Sequence, residues 1–395
     1  MEFLSHVPHE LTFVALLFAL FVVPRVLQRV RLPAAITSLA LGALAGIGFG
    51  LFQADATLKL LSTFGIVSLF LFAGLDVDFA ELRGHGTILL QHIAIKLLTL
   101  IVLIAASTSA VGLDLRSSML LALALLTPST GFILDSLGQL NIDQQSRFWV
   151  KSKAIASELV CLVILFATLR STSTASLTIA SLSLAGLIVV LPVVFRLFAA
   201  FVVPHAPKSE FAFLMMTAVA CGAITHELGV YYLVGAFVVG IAAQRLRSHL
   251  PSMASERMLH AVESFSSLFV PFYFFAAGTR LRSDNFTWNA LLATAAFVAV
   301  AVPIRILSVW LHRRRALGES FRESLRVGAP LLPTLVFTLV IAELLRDQFA
   351  APAWVFGGLI GYAVVSSLLP AFVVGVRVPE EADELLVEQP ISPSS

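Results

Sequence analysis

The chain has 395 residues, 58% of them hydrophobic and only 13% charged, with a formal net charge of +2 and a mean hydropathy of +0.94. Water-soluble domains carry about 25% charged residues, so the composition excludes an ordinary soluble enzyme, and the near-neutral balance gives no reason to expect a nucleic-acid partner. The two cysteines, Cys161 and Cys221, sit in apolar stretches and read as small core residues, not as a disulfide or a metal site.

Taken in order, the apolar stretches form thirteen segments, near 9–30, 33–52, 57–78, 85–112, 116–140, 147–169, 175–203, 208–227, 229–246, 257–279, 286–312, 322–346 and 350–376. Apolar runs of about 18 residues or more mean membrane helices. Glu2 stands where a signal peptide has a basic region, and no small-residue cleavage site follows, so the first segment is expected to be retained. Arg25, Arg29 and Arg31, then Arg245, Arg247 and Arg257, then Arg313, Arg314, Arg315, Arg322 and Arg326 all follow odd-numbered segments. Fewer basic residues, among them Arg116, Arg170, Arg280 and Arg282, follow even-numbered ones, while Lys96, Arg196 and Arg305 fall inside spans. Cytoplasmic loops are the ones enriched in Lys and Arg. The N-terminus is therefore expected outside and the C-terminus in the cytoplasm, in the plasma (inner) membrane of a prokaryote. A short acidic tail covers 379–395, after a transmembrane domain over 1–378.

Two of these segments are interrupted alike. The fifth reads Leu125-Leu126-Thr127-Pro128-Ser129-Thr130-Gly131-Phe132-Ile133-Leu134, and the twelfth Leu331-Leu332-Pro333-Thr334-Leu335-Val336-Phe337-Thr338-Leu339, with Pro330 just before it. Pro128 and Pro333 are each followed by Phe four residues on and Leu six on. Proline lacks an N–H and clashes with the preceding turn, so each helix is predicted to break there. Freed backbone groups at membrane depth survive only where protein or a wet cavity satisfies them. Paired broken helices in two halves of a chain point to a transporter's binding site. Further echoes keep the same order: Gly42-Ala43 with Gly46-Ile47 against Gly235-Ala236 with Gly240-Ile241, and Phe72-Ala73-Gly74 against Ala276-Ala277-Gly278. The offset is seven segments, and an odd offset inverts one half relative to the other. No phosphate loop, Cys/His metal cluster or nucleophile–base pair is present, and no cofactor is expected. Transport by such a chain draws on an ion gradient.

An ionisable group inside a span is a functional hypothesis by default. Glu158 lies near the middle of the sixth segment, after Ser157. A carboxyl there must be paired, hydrated or protonated, which suits competition between a proton and a cation. Its structural alternative is to balance Lys96 or Arg305. One basic group beside each broken helix, Lys96 and Arg305, is what two opposed helix C-terminal ends favour. Asp135 either ends the first half-helix or faces the cavity. Thr127, Ser129, Thr130 and Thr334 place hydroxyls at the breaks, where oxygens can replace a cation's water shell.

These residues resemble the sodium/hydrogen exchanger-type monovalent cation:proton antiporters, and most closely their Kef-type potassium/proton branch. Gly74-Leu75-Asp76-Val77-Asp78 is similar to that family's Gly-Leu-Glu-Leu-Asp helix end, Leu126 to Leu134 to its first crossover, Val234 to Gly240 to its Gly-Ala-Phe-x-x-Gly helix, and Pro271-Phe272-Tyr273-Phe274-Phe275 with Gly278 to its Pro-x-Phe-Phe helix. The resemblance covers roughly residues 10 to 376. It implies that Ser157-Glu158 replaces the family's pair ending in the ion-binding Asp. It also implies that Arg305 takes the place of a basic residue beside the second crossover, and that exchange is electroneutral. Glu for Asp at 158, Pro333-Thr334-Leu335-Val336 where the branch has Gly-Gly-Glu or Arg-Gly-Glu, and the extra Lys96 depart from the pattern. The branch's C-terminal nucleotide-binding regulatory domain is expected to be missing.

The fold expected is an all-α polytopic membrane protein with about 13 transmembrane helices and an inverted repeat with two crossed discontinuous helices. Residues 85–169 and 286–376 would form a moving core, 9–78 and 208–279 a scaffold and homodimer face, and 175–203 a linker helix. The function expected is antiport of K+ or Na+ against protons across the lipid bilayer. The alternatives are a transporter of this fold that carries an organic anion between Lys96 and Arg305, and a non-transporting sensor or assembly protein.

Overall fold

The structure, a computed structural model, describes residues 9–77, 84–130, 133, 142–171, 173–206, 209–246 and 255–373; Asp78, Asp135 and the acidic tail lie outside the described residues. Within them the fold is all-helical. The fourteen α-helices are α1 (His9–Gln28), α2 (Ala34–Ala43), α3 (Ala56–Leu75), α4 (Gly86–Val111), α5 (Leu115–Leu126), α6 (Gln144–Arg170), α7 (Thr174–Phe201), α8 (Glu210–Glu227), α9 (Tyr232–Arg245), α10 (Glu256–Thr279), α11 (Trp288–Leu317), α12 (Phe321–Gly328), α13 (Leu335–Asp347) and α14 (Ala353–Val373). Local chemistry sets many of their ends. Asp114 caps α5 by accepting from the N–H groups of Arg116 and Ser117, and Asp143 caps α6 through Ser146. Gly112 and Gly318 close α4 and α11 in the left-handed conformation, at φ 71° and 72°.

Every expected segment contains a helix, but length and composition qualify fewer than thirteen as unaided spans. Eight helices pass among the described residues (α1, α3, α4, α6, α7, α10, α11 and α14), and a ninth span forms if Phe321–Leu331 and Leu335–Asp347, bent by 53°, count together. The shortfall has local causes. α5 stops at its proline break, and α2 gives way to a π turn over Leu44–Gly48.

The glycine echoes prove to be packing sites. A Cβ on Gly42 would sit 3.0 Å from the Cα of Gly278, and one on Gly74 would sit 3.0 Å from the Cα of Gly240. Thus α2 lies on α10 as α9 lies on α3, which exchanges the two members of each repeated pair. Small residues let backbones approach this closely in membranes. In a second group, α11 runs along α14, α13 packs on α14 and α5, and α4 packs on α5 and α6. α7 touches α6 and α9 but leaves Leu182, Val189 and Phe201 exposed, as a lipid-facing helix does. Two ion pairs join the groups. Lys151 on α6 reaches Asp76, which ends α3, at 3.5 Å, and Arg280, which ends α10, reaches Glu343 on α13 at 3.0 Å. Glu343 is largely covered in that pair.

Candidate functional site

The two breaks cross and satisfy one another. Pro128 has no N–H for the carbonyl of Ala124, and the hydroxyl of Thr338 donates to that carbonyl instead, at 2.8 Å. Thr127 is extended, as a residue before proline prefers to be. The N–H of Ser129 therefore leaves its helix and donates to Pro333 O at 2.8 Å. The Leu125 carbonyl it abandons accepts from the Tyr362 hydroxyl at 2.6 Å and from Arg305 Nη1 at 3.4 Å. At the second break the N–H of Val336 donates to Ser129 Oγ at 3.0 Å. Arg305 donates to the freed carbonyl of Leu332 at 2.8 Å, to that of Leu331, and to the Tyr362 hydroxyl at 3.1 Å. Thr334 and Ser366 share a hydrogen bond of 3.2 Å. Pro330 lies in the 3-10 turn that leads into the second break. All these groups are buried, and unpaired backbone groups there would be costly.

The basic residues do not divide evenly between the breaks. Arg305 binds carbonyls of both broken helices, whereas Lys96 donates to the hydroxyl of Thr127 at 3.3 Å and, among the described residues, to no freed carbonyl. A planar guanidinium with several donors can serve diverging carbonyls, which a point-like ammonium cannot. Arg305 does not snorkel outward; it is 8% exposed.

Glu158 stands on α6 and is 2% exposed. Among the described residues no basic group lies within 4.0 Å of its carboxylate, and Oε2 has no hydrogen-bond partner. The hydroxyl of Thr130 lies beside the carboxyl, short of hydrogen-bonding geometry, and is itself unpartnered. Neither Lys96 nor Arg305 is paired with Glu158. A cavity adjoins this region, lined by Lys96, Ser157, Arg305 and Pro128 among others. The structure therefore gathers Lys96, Thr127, Pro128, Ser129, Thr130, Ser157, Glu158, Arg305, Pro330, Pro333 and Thr334 around the crossing; Asp135 lies outside the described residues.

Three participants escape the sequence. Tyr362 and Thr338 look like filler in apolar helices, yet both donate to freed carbonyls of α5. Lys153, near the start of the sixth segment, lines the cavity with Lys96 and Arg305. Its position four residues before Ser157, on one helix face, is the signal that could have found it.

Residues 14–376 match the family model described as sodium/hydrogen exchanger, transmembrane. The "Probable Na(+)/H(+) antiporter 3" of Methanocaldococcus jannaschii is 23% identical over 380 residues, which cover 92% of this chain and 95% of that one. The solved structure of the sodium proton antiporter MjNhaP1 from the same organism, at pH 8, superposes with a TM-score of 0.64 at 14% identity, covering 93% of this chain and 95% of the other. A second structure of MjNhaP1, from electron microscopy, gives a TM-score of 0.66 at 14% identity, with coverage of 92% and 94%.

Proposed function

The chain belongs to the sodium/hydrogen exchanger family of transmembrane proteins; it is a cation:proton antiporter and not an enzyme, and we propose that Glu158 is the group for which proton and alkali cation compete. The observation that carries this reading is a buried carboxylate with no cationic partner among the described residues, set beside the unpartnered hydroxyl of Thr130 at a helix break. A buried charge without a partner is costly, so the site stays loaded with a proton or a metal cation. Thr130 has lone pairs to offer an incoming ion, and Thr127, Ser129, Ser157 and Thr334 supply the neighbouring oxygens. Arg305 holds the crossed breaks and Lys96 fixes Thr127, so neither needs to change charge during a cycle.

With one titrating carboxylate, one monovalent cation exchanges for one proton and no net charge moves. The cargo is potassium or sodium. The group containing α4 to α6 and α11 to α14 moves as a body against the group built on the glycine contacts, exposing Glu158 to either face in turn. The group built on the glycine contacts also supplies a homodimer face. The N-terminus lies outside and the C-terminus in the cytoplasm.

The test uses proteoliposomes holding a pH gradient. Potassium, sodium, lithium and choline salts are added in turn, and internal pH is followed by dye fluorescence for wild type and Glu158→Gln. Alkali cations should collapse the gradient in wild type only, at a rate indifferent to an imposed membrane potential. Normal exchange by a folded Glu158→Gln protein would overturn the assignment, and a potential-dependent rate would overturn electroneutrality.

A further inference from the structure

The cavity carries more positive charge than the protein answers. Lys96, Lys153 and Arg305 line it from α4, α6 and α11. Among the described residues no carboxylate lies within 4.0 Å of any of the three. Lys153 is the centre of the group, within electrostatic range of Arg305, Lys96, His92 and His312. One turn beyond the cavity, His92 is 1% exposed with both ring nitrogens unpartnered, and it meets Trp149 and His312 edge-on at 5.2 and 4.9 Å between ring centres. Arg313 follows, already committed to Glu319. The charged and titratable groups within electrostatic range of Lys153 are cations and histidines. Buried charges persist when they are paired, and here the pairing ion is not a side chain of the described residues.

We propose that this cavity binds a small monovalent anion of the halide or short-carboxylate class, held chiefly by Lys153. Lys153 has its ammonium donors to give, and Lys96 spends one donor on Thr127 and keeps two. The Ser157 hydroxyl faces the same space. Thr99 and Ser308 border the cavity, but their hydroxyl protons go to helix carbonyls. Arg305 turns both Nη groups to the crossing and contributes chiefly charge. An anion in this position also offsets the repulsion that a cation meets on its way to Glu158.

The test is the thermal midpoint of the purified protein in detergent. Sodium gluconate is replaced stepwise by sodium chloride or sodium acetate, at constant sodium and ionic strength, for wild type, Lys153→Arg and Lys153→Met. The smaller anions should raise the wild-type midpoint saturably, and whichever of the two acts names the class. Lys153→Arg should keep the response. Lys153→Met should weaken the apparent affinity about tenfold or more, the loss expected for one charged hydrogen-bond donor, while matching or exceeding wild type in gluconate. A wild-type midpoint indifferent to the anion, or a Lys153→Met response equal to wild type, would refute the site. Lys153→Gln replaces the methionine variant if that does not fold. A Glu158→Gln protein carried alongside should retain the anion response, which separates failure of this inference from failure of the exchange reading.

Discussion

Replacing Arg305 with Gln tests whether a single side chain holds the crossing together. Arg305 donates to the carbonyls of Leu331, Leu332 and Leu125 and to the hydroxyl of Tyr362. Leu125 O keeps the Tyr362 donor at 2.6 Å when Arg305 is lost, so the damage falls on Leu331 and Leu332. A hydrogen bond from a charged donor contributes about 1.5–3 kcal/mol, so two lost carbonyl bonds sum to about 3–6 kcal/mol. Removing a buried guanidinium also removes its desolvation cost, which offsets part of that sum. The net destabilisation expected is about 2–4 kcal/mol. Tyr362→Phe should cost about 1–3 kcal/mol, for one buried carbonyl deprived of its best donor. The two changes should couple by at least about 0.5 kcal/mol, since they share Leu125 O. The assay is unfolding in mixed detergent and dodecyl sulfate micelles, followed by tryptophan fluorescence, for both single variants, the double variant and Arg305→Lys. Lysine should fall between wild type and Gln, because a point charge serves fewer of the diverging carbonyls. An Arg305→Gln protein within about 0.5 kcal/mol of wild type, the range of an ordinary surface change, would show that the clamp does not hold the breaks.

Gly240→Ala would force a methyl to within 2.8 Å of the Gly74 Cα and should cost about 1–3 kcal/mol or more as overpacking. Gly186→Ala, with nothing within 4 Å of the added carbon, should be neutral or stabilise α7 by about 0.5–1 kcal/mol. Equal thermal midpoints for these two variants would discount the close approach of α3 and α9. Asp114→Ala should cost about 0.5–2 kcal/mol as a lost helix cap. The hydroxyl of Ser117, with the backbone N–H groups of Ser117 and Arg116, holds the Asp114 carboxyl below the usual carboxylate range. A lowered folded value means that the stabilisation is full above the unfolded value of about 3.9 and is lost as pH falls below it. The gap between wild type and Asp114→Ala should therefore be constant from neutral pH to about 5 and close in stronger acid; a gap that widens in acid would contradict the cap.

The features legible in the sequence are those with a covalent or periodic cause. Pro128 and Pro333 announce the breaks because proline has no N–H, and Gly42, Gly74, Gly240 and Gly278 announce helix contacts because only glycine allows them. The partners of the breaks were not legible. Thr338 and Tyr362 become donors only because two helices cross at one depth, which no local pattern encodes. The sharing of Arg305 between both helices was hidden for the same reason: its position beside the second break is sequential, and its contact with Leu125 is purely spatial. Lys153 was not legible because a basic residue near the head of a span looks like a boundary marker until the depth of its helix is known.

The crossing also constrains the order of events at the ribosome. The bonds that satisfy the first break come from Thr338, 214 positions beyond Ala124, and from Pro333, which answers Ser129 from the second half of the chain. A nascent chain that has delivered α5 and Pro128 to the membrane therefore carries an unanswered Ala124 carbonyl and a displaced Ser129 N–H until the second half has been made. Non-local contacts of this separation close last, so the crossing is the final part of the molecule to mature. Neither half expressed alone can complete its break. Two halves made as separate chains can do so only by finding each other in opposite orientation, and that requirement would have bound any half-length ancestor to work as an antiparallel pair.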